Sequence, residues 1–150
     1  MRNIHSISKF KEALLECIRP KMNSVYKVHD PYGLMLLTRL RLRFSHLREH
    51  KSWHGFRDTL NPLCNCGEDV ESTSHYLLRC LLYNSSRRVL YDNLKEILGQ
   101  IPNLSDDKLV YLLLYGEDIY SAEINASVLH CTIAFLKSSE RFDIPLFWTW

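Results

Sequence analysis

No run of apolar residues in this chain approaches the ~20 that a membrane-spanning helix needs. The chain also does not open on the charged-then-apolar pattern of a secretory signal. These two absences argue against a membrane or exported protein and lead to an expected location inside the cell, nuclear or cytoplasmic. The Asn-x-Ser triplets at Asn84, Asn103 and Asn125 therefore carry little weight as glycosylation sites. Net charge is scarce as well, since 19 Lys and Arg stand against 17 Asp and Glu. Affinity for a polyanion would have to come from clustered cations rather than from overall charge. A disulfide framework is disfavoured too. Five cysteines is an odd count, and three of them cluster with a histidine, which in an intracellular chain favours metal binding.

What the chain does have is the substance of a globular domain. Its 150 residues are enough to bury a core, and 46% hydrophobic against 24% charged residues excludes a disordered chain. A single helical domain over residues 1–150 is expected.

The centre of the chain is the run PLCNCGEDVESTSHYLLRC from Pro62 to Cys80. It carries Cys64, Cys66, His75 and Cys80, three thiols and one imidazole, the donor set that tetrahedral structural zinc uses. Gly67 follows the second cysteine, where backbone amides commonly turn toward thiolates. The single residue between Cys64 and Cys66 makes a tighter chelate turn than Cys-x2-Cys. His75 and Cys80 lie some ~140° apart around an ideal α-helix, so a helix that carries both has to end or unwind near Cys80. Four ordinary buried side chains are the competing reading of this set.

Around this stretch the chain reads as helices. HSISKFKEALLECIRP places Ile7, Phe10, Leu14, Cys17 and Ile18 on one stripe, capped by Ser6 or Ser8 and ended by Pro20. Residues 21–29 read as a polar connector. Asp30 as cap and Pro31 at the first helical position open a second helix running to about His50, with Leu37, Leu40, Phe44 and Leu47 buried. On this helix Arg39, Arg43, His46 and His50 line one flank of the apolar stripe, and Arg41 and Arg48 the other. Two rows of cations at the rim can grip phosphates or form a solvated, snorkelling face. His46 to His50 also match the inverted zinc-protease motif H-x-x-E-H. The flanking Arg39 and Arg43 oppose a divalent metal on that face, and the motif is rejected.

Lys51, His54 and Arg57 extend the basic surface, while Trp53, Phe56 and Leu60 are expected to cover the base of the cysteine loop. Base stacking by Trp53 is the lesser alternative. Ser72 or Thr73 can cap a short helix from His75, with Tyr76, Leu77 and Leu78 facing the core and a break near Asn84-Ser85-Ser86. A helix from Ser86 to Leu98 points Leu90, Leu94 and Ile97 inward and Arg87, Arg88 and Lys95 outward, with Gly99 as its stop. Ser105 caps the next helix, in which Asp106 and Asp107 suit the helix dipole and which closes at Gly116. The last helix, Ala122 to Ser139, carries a stripe of Ile124, Val128, Cys131 and Phe135. The apolar terminus RFDIPLFWTW is expected to fold back onto the bundle. This gives a mostly α fold of about five helices, with a small metal-stapled loop between the second and the third.

The block TRLRLRFSHLREHKSWHGFRDTLNPLCNCGEDVESTSHYLLRC resembles the C-terminal region of non-LTR (LINE-like) retrotransposon reverse-transcriptase polyproteins. There a TRLR…SHL basic helix precedes a Cys-x(1–3)-Cys…His-x4-Cys zinc-knuckle-like motif downstream of the polymerase. The similarity continues in order to the RFDIPLF end. It implies a structural zinc ion on Cys64, Cys66, His75 and Cys80. It also implies nucleic-acid contacts from Arg39, Arg41, Arg43 and His46, which Arg48, His50, Lys51 and Arg57 would extend. The implied partners are template RNA or target DNA during target-primed reverse transcription, and the polymerase part of the parent polyprotein.

The chain departs from such polyproteins in lacking the polymerase. Its single Asp-Asp pair, Asp106-Asp107, follows Leu104-Ser105 and begins a helix, where a polymerase palm needs a Phe/Tyr-x-Asp-Asp hairpin with a further carboxylate. No endonuclease module or RNase H carboxylate cluster is visible either. The expected function is therefore non-catalytic nucleic-acid binding. The alternative is a zinc-stabilised protein-interaction module, which the acidic loop Glu68-Asp69-Glu71 and the leucine-rich segment 109–114 favour.

Overall fold

A computed structural model describes residues 22–143 apart from Tyr26 and Leu60. The helix expected over residues 6–20, the place of Leu60 and the end of the apolar terminus lie outside the described residues.

Six α-helices occur among the described residues: α1 Met22–Val25, α2 Pro31–Arg41, α3 Arg48–Trp53, α4 Asn84–Leu98, α5 Asp106–Tyr115 and α6 Ala122–Ser138. A π-helical turn, His75–Arg79, and a 3₁₀ turn, Leu81–Tyr83, precede α4. No strand forms among these residues; the nearest thing is one antiparallel bridge, Leu63 with Val70. The expected mostly helical architecture holds, with the cysteine–histidine loop between the basic helical region and α4. No helix among the described residues is long and apolar enough to cross a membrane.

Helix α6 is the spine, and α1, α2, α4 and α5 all pack against it. Its buried face presents Val128, Leu129, Ile133, Phe135 and Leu136 to Leu37 and Leu40 of α2, Leu90 and Leu94 of α4, and Leu112 and Leu113 of α5. Ser121 caps α6 by accepting from the Ile124 amide at 3.2 Å. Before it, Gly116 has φ +77°, and a Cβ there would lie 2.6 Å from Asn125 Oδ1. Asn125 in turn is buried, accepting from the Glu117 amide and donating to the Glu117 carbonyl at 2.8 Å. Only glycine satisfies both the backbone and that close approach.

Several expectations need correction. The 21–29 connector contains the short helix α1. The helix expected from residue 30 to 50 is two helices. Asp30 caps α2 through the Gly33 amide at 2.9 Å, as the sequence implied, but the helix stops at Arg41. Arg43 takes a left-handed conformation with φ +52°, and the Phe44 amide returns to the Arg39 carbonyl at 2.8 Å. This is a Schellman-type ending with arginine in the position glycine usually fills. The turn throws Phe44 outward, where it is 43% exposed, while Leu47 remains buried. Helix α4 begins at Asn84, not Ser86, so the break falls at residues 80–83. Leucines 112–114 are buried in the core, while clefts lined in part by Val110, Tyr111, Leu112 and Leu114 open beside α5.

Candidate metal centre

The loop from Pro62 to Glu71 closes on itself. The Cys64 amide donates to the Asp69 carbonyl at 2.8 Å, and the Glu71 amide to the Pro62 carbonyl at 2.9 Å. Inside this closure the Gly67 amide donates back to the Cys64 carbonyl at 2.9 Å, and the chain then leaves the turn through the positive φ of +81° at Gly67, which glycine adopts without strain. The reversal lets two cysteines separated by one residue turn their sulfurs to the same side. It answers the tightness of Cys-x-Cys.

The other two donors come from the π turn. Ser72 Oγ accepts from the His75 amide at 3.1 Å, and the Cys80 amide closes a five-residue ring on the His75 carbonyl at 2.7 Å. A π turn winds more residues into each revolution than an α-helix, so positions five apart come onto one face. The unwinding expected near Cys80 takes this form.

The ligand atoms of Cys64, Cys66, His75 and Cys80 all lie within 4.8 Å of one another. Cys64 Sγ is 3.6 Å from Cys80 Sγ, and Cys66 Sγ is 3.2 Å from His75 Nε2. A tetrahedral ion with metal–sulfur bonds of ~2.3 Å holds its sulfurs about 3.8 Å apart; the Cys64–Cys80 separation is close to that, and the rest of the set, all within 4.8 Å, needs shifts of no more than about 1 Å. The cysteines are separate thiols rather than a disulfide. Burial pushes the Cys64 thiol up to about 12 and raises that of Cys80, while the Glu68 amide leads the effects that lower Cys66. Buried thiols are poor ligands until a cation replaces their protons. Four protein donors converge and three of the residues are buried; such a set, with no position left for water, is the kind that structural zinc sites use.

A shell of buried charge holds the loop in place. Arg87, expected to face outward, is buried and donates to the carbonyls of Leu77 at 2.8 Å, Tyr76 at 3.1 Å and Cys80 at 2.8 Å. One guanidinium thus reaches three carbonyls of the π turn and the residue after it, and the Cys80 carbonyl also accepts from the Tyr83 amide at 3.3 Å. Glu71, expected in an exposed acidic loop, is buried and receives Arg141 through two bonds of 2.6 and 2.8 Å. It also accepts from the Arg48 amide at 2.7 Å, and Arg141 donates onward to the His46 carbonyl at 2.8 Å. Neither role has a signal in the sequence, because each partner is distant or looks like ordinary surface charge.

The basic residues divide. Arg41 is buried and donates to the Leu114 carbonyl at 2.6 Å. His50 is buried as well, with Nδ1 accepting from the Ser45 amide at 3.4 Å and Nε2 3.2 Å from Thr73 Oγ1. These two are core residues, because the break after α2 turns their positions inward. Arg48 is half-buried and bonds to Asn65 Oδ1 at 2.6 Å, bracing the cysteine loop. Arg39 and His46 are half-buried, and Lys51 pairs with Asp58. Burial, with the Arg39 charge next, lowers the His46 imidazole. Arg43 and Arg57 are exposed. Trp53 and Phe56, expected to cover the loop, are 42% and 44% exposed. The Arg43 guanidinium lies 5.8 Å from the Trp53 ring centre.

Compared with known proteins, the chain matches no protein-family model, no curated protein and no solved structure.

Proposed function

We propose that this chain is a non-catalytic, zinc-stapled helical module that binds nucleic acid, akin to the C-terminal region of a LINE-like reverse transcriptase. Zinc is the ion of choice because three thiolates and one imidazole in a closed tetrahedral set suit it better than harder divalent cations. Cys64, Cys66, His75 and Cys80 would hold it, and its chemistry there is that of a cross-link. The proposed partners are template RNA or target DNA and the polymerase of a parent polyprotein.

The observation that carries the reading is the surface beside the cluster. Between residues 43 and 57, exposed Arg43, His54 and Arg57 alternate with exposed Phe44, Trp53 and Phe56. Cations interleaved with aromatic faces suit a phosphate backbone and its bases better than they suit a protein partner. The gripping residues are accordingly narrower than the eight cations named from sequence, since Arg41 and His50 are spent on the core.

Arg43→Ala with Arg57→Ala is expected to weaken binding to RNA and DNA and to leave zinc content unchanged. The slope of log affinity against log salt should become shallower by roughly 1.4 to 1.8 for two lost phosphate contacts. Unaltered affinity and slope would reject the nucleic-acid reading. A protein-interaction module is the second reading, favoured by Leu81, Leu82 and Val89, all more than half exposed beside the cluster. Binding to nucleic acid that is absent at every salt concentration would favour it.

A further inference from the structure

A cavity of about 330 Å³ opens between the turn after α2 and the end of α3. Phe44, Phe56, His46, His54 and Lys51 line it, and Asp58 is the one acid among its described lining residues. Most of the lining is apolar, and three of its five polar residues, His46, Lys51 and His54, are basic or carry an imidazole. The Phe44 and His54 rings meet edge-on with centres 5.0 Å apart, and the Lys51 ammonium lies 6.0 Å from the Phe56 ring centre. Asp58 is engaged by Lys51, so those two charges cancel, and the cations left are the exposed Arg43 and Arg57, the chain neighbours of the two phenylalanines.

The occupant this chemistry recognises is flat, aromatic and attached to negative charge. An aliphatic side chain would use the rings and waste the cations; a free anion would use the cations and waste the rings. A nucleotide uses both. The volume is at the small end of ligand clefts, enough for one heterocycle and not for a paired duplex. Building on the nucleic-acid reading above, we infer that this slot takes a single unpaired base of a single-stranded nucleic acid. The base lies between Phe44 and Phe56, and its flanking phosphates meet Arg43 and Arg57. His46, Ser45 and Asp58 offer the hydrogen-bonding groups that meet a base edge.

The test uses the zinc-loaded full chain and single strands about ten nucleotides long, in RNA and DNA versions, each with one 2-aminopurine, beside the matching duplexes. Single strands are expected to bind at least tenfold more tightly than duplexes, with the 2-aminopurine emission changing on binding. Phe44→Ala with Phe56→Ala should cost roughly fivefold to a hundredfold in single-strand affinity and leave duplex affinity and the salt slope alone. Phe44→Tyr with Phe56→Tyr, which keeps the rings, should restore single-strand binding. Both phenylalanines are more than 40% exposed, so the variants should keep wild-type zinc content and helical signal. Equal affinity for single and double strands, with no effect of removing the rings, would overturn the slot and leave phosphate binding standing. Absence of salt-dependent binding to either form would overturn both. A difference between the RNA and DNA arms would identify which strand the slot serves.

Discussion

His50 shows how a single residue can change meaning between sequence and structure. In the sequence it is one more cation on a basic flank. In the fold it is buried, its Nδ1 2.8 Å from Ser45 Oγ and 3.4 Å from the Ser45 amide nitrogen, its Nε2 3.2 Å from Thr73 Oγ1. Burial, then the charges of Arg43 and His54, depress it to about 4 from an ordinary 6.5. A histidine whose folded pKa lies below its unfolded one stabilises the fold above the unfolded value and loses that contribution as pH falls. Roughly 3 kcal/mol should therefore be lost between about pH 6.5 and 4. Urea unfolding of the wild type and of His50→Gln across this range measures it. The variant should be less stable at pH 7 and show a flatter acid limb, and parallel curves would refute the assignment.

At the level of elements, the sequence was legible where a side-chain pattern and a chemical requirement coincided. Asp30-Pro31 opened α2, Gly99 and Gly116 ended α4 and α5, and the four donors found one another across the loop. The break at Arg43 was not legible. Leu37, Leu40 and Leu47 keep helical spacing straight through it, and no glycine marks the left-handed residue. Arg87 was misread for a related reason. Its spacing puts it outward on an isolated helix, but in the fold its guanidinium is buried against the carbonyls of Tyr76, Leu77 and Cys80. Arg87→Met should therefore cost roughly 2 to 4 kcal/mol, since it orphans buried acceptors, and weaken zinc affinity by tenfold or more. Arg88→Met, on the exposed face of the same helix, should do neither. Zinc competition against a chromophoric chelator, read with thermal unfolding, separates the two variants.

For the whole molecule, the proposed metal and the apolar core hold different parts. Leucines of α2, α4, α5 and α6 hold the bundle, whereas residues 62–80 contribute few buried apolar side chains apart from Tyr76 and Leu77. Structural zinc contributes an apparent ~10–16 kcal/mol in small domains, on the order of a domain's whole stability. Purified protein should carry one equivalent of zinc by native mass spectrometry, and Cys80→Ser should lose it. A strong chelator should lower the unfolding midpoint and expose the 62–80 amides to hydrogen exchange before those of α6. A chelator without effect on either would make the four residues ordinary core.

The Glu71–Arg141 pair bears on the order in which these parts form. Cys64 and Cys80 are 16 residues apart in the chain, and Glu71 and Arg141 are 70 apart. Closing the longer loop costs about 1.3 kcal/mol more chain entropy, and Arg141 leaves the ribosome long after Cys80. Capture of the proposed ion would therefore be a local and early event, open to a chain still in synthesis. The arginine would arrive afterwards, when α6 has docked, and bolt a loop already closed around its ion.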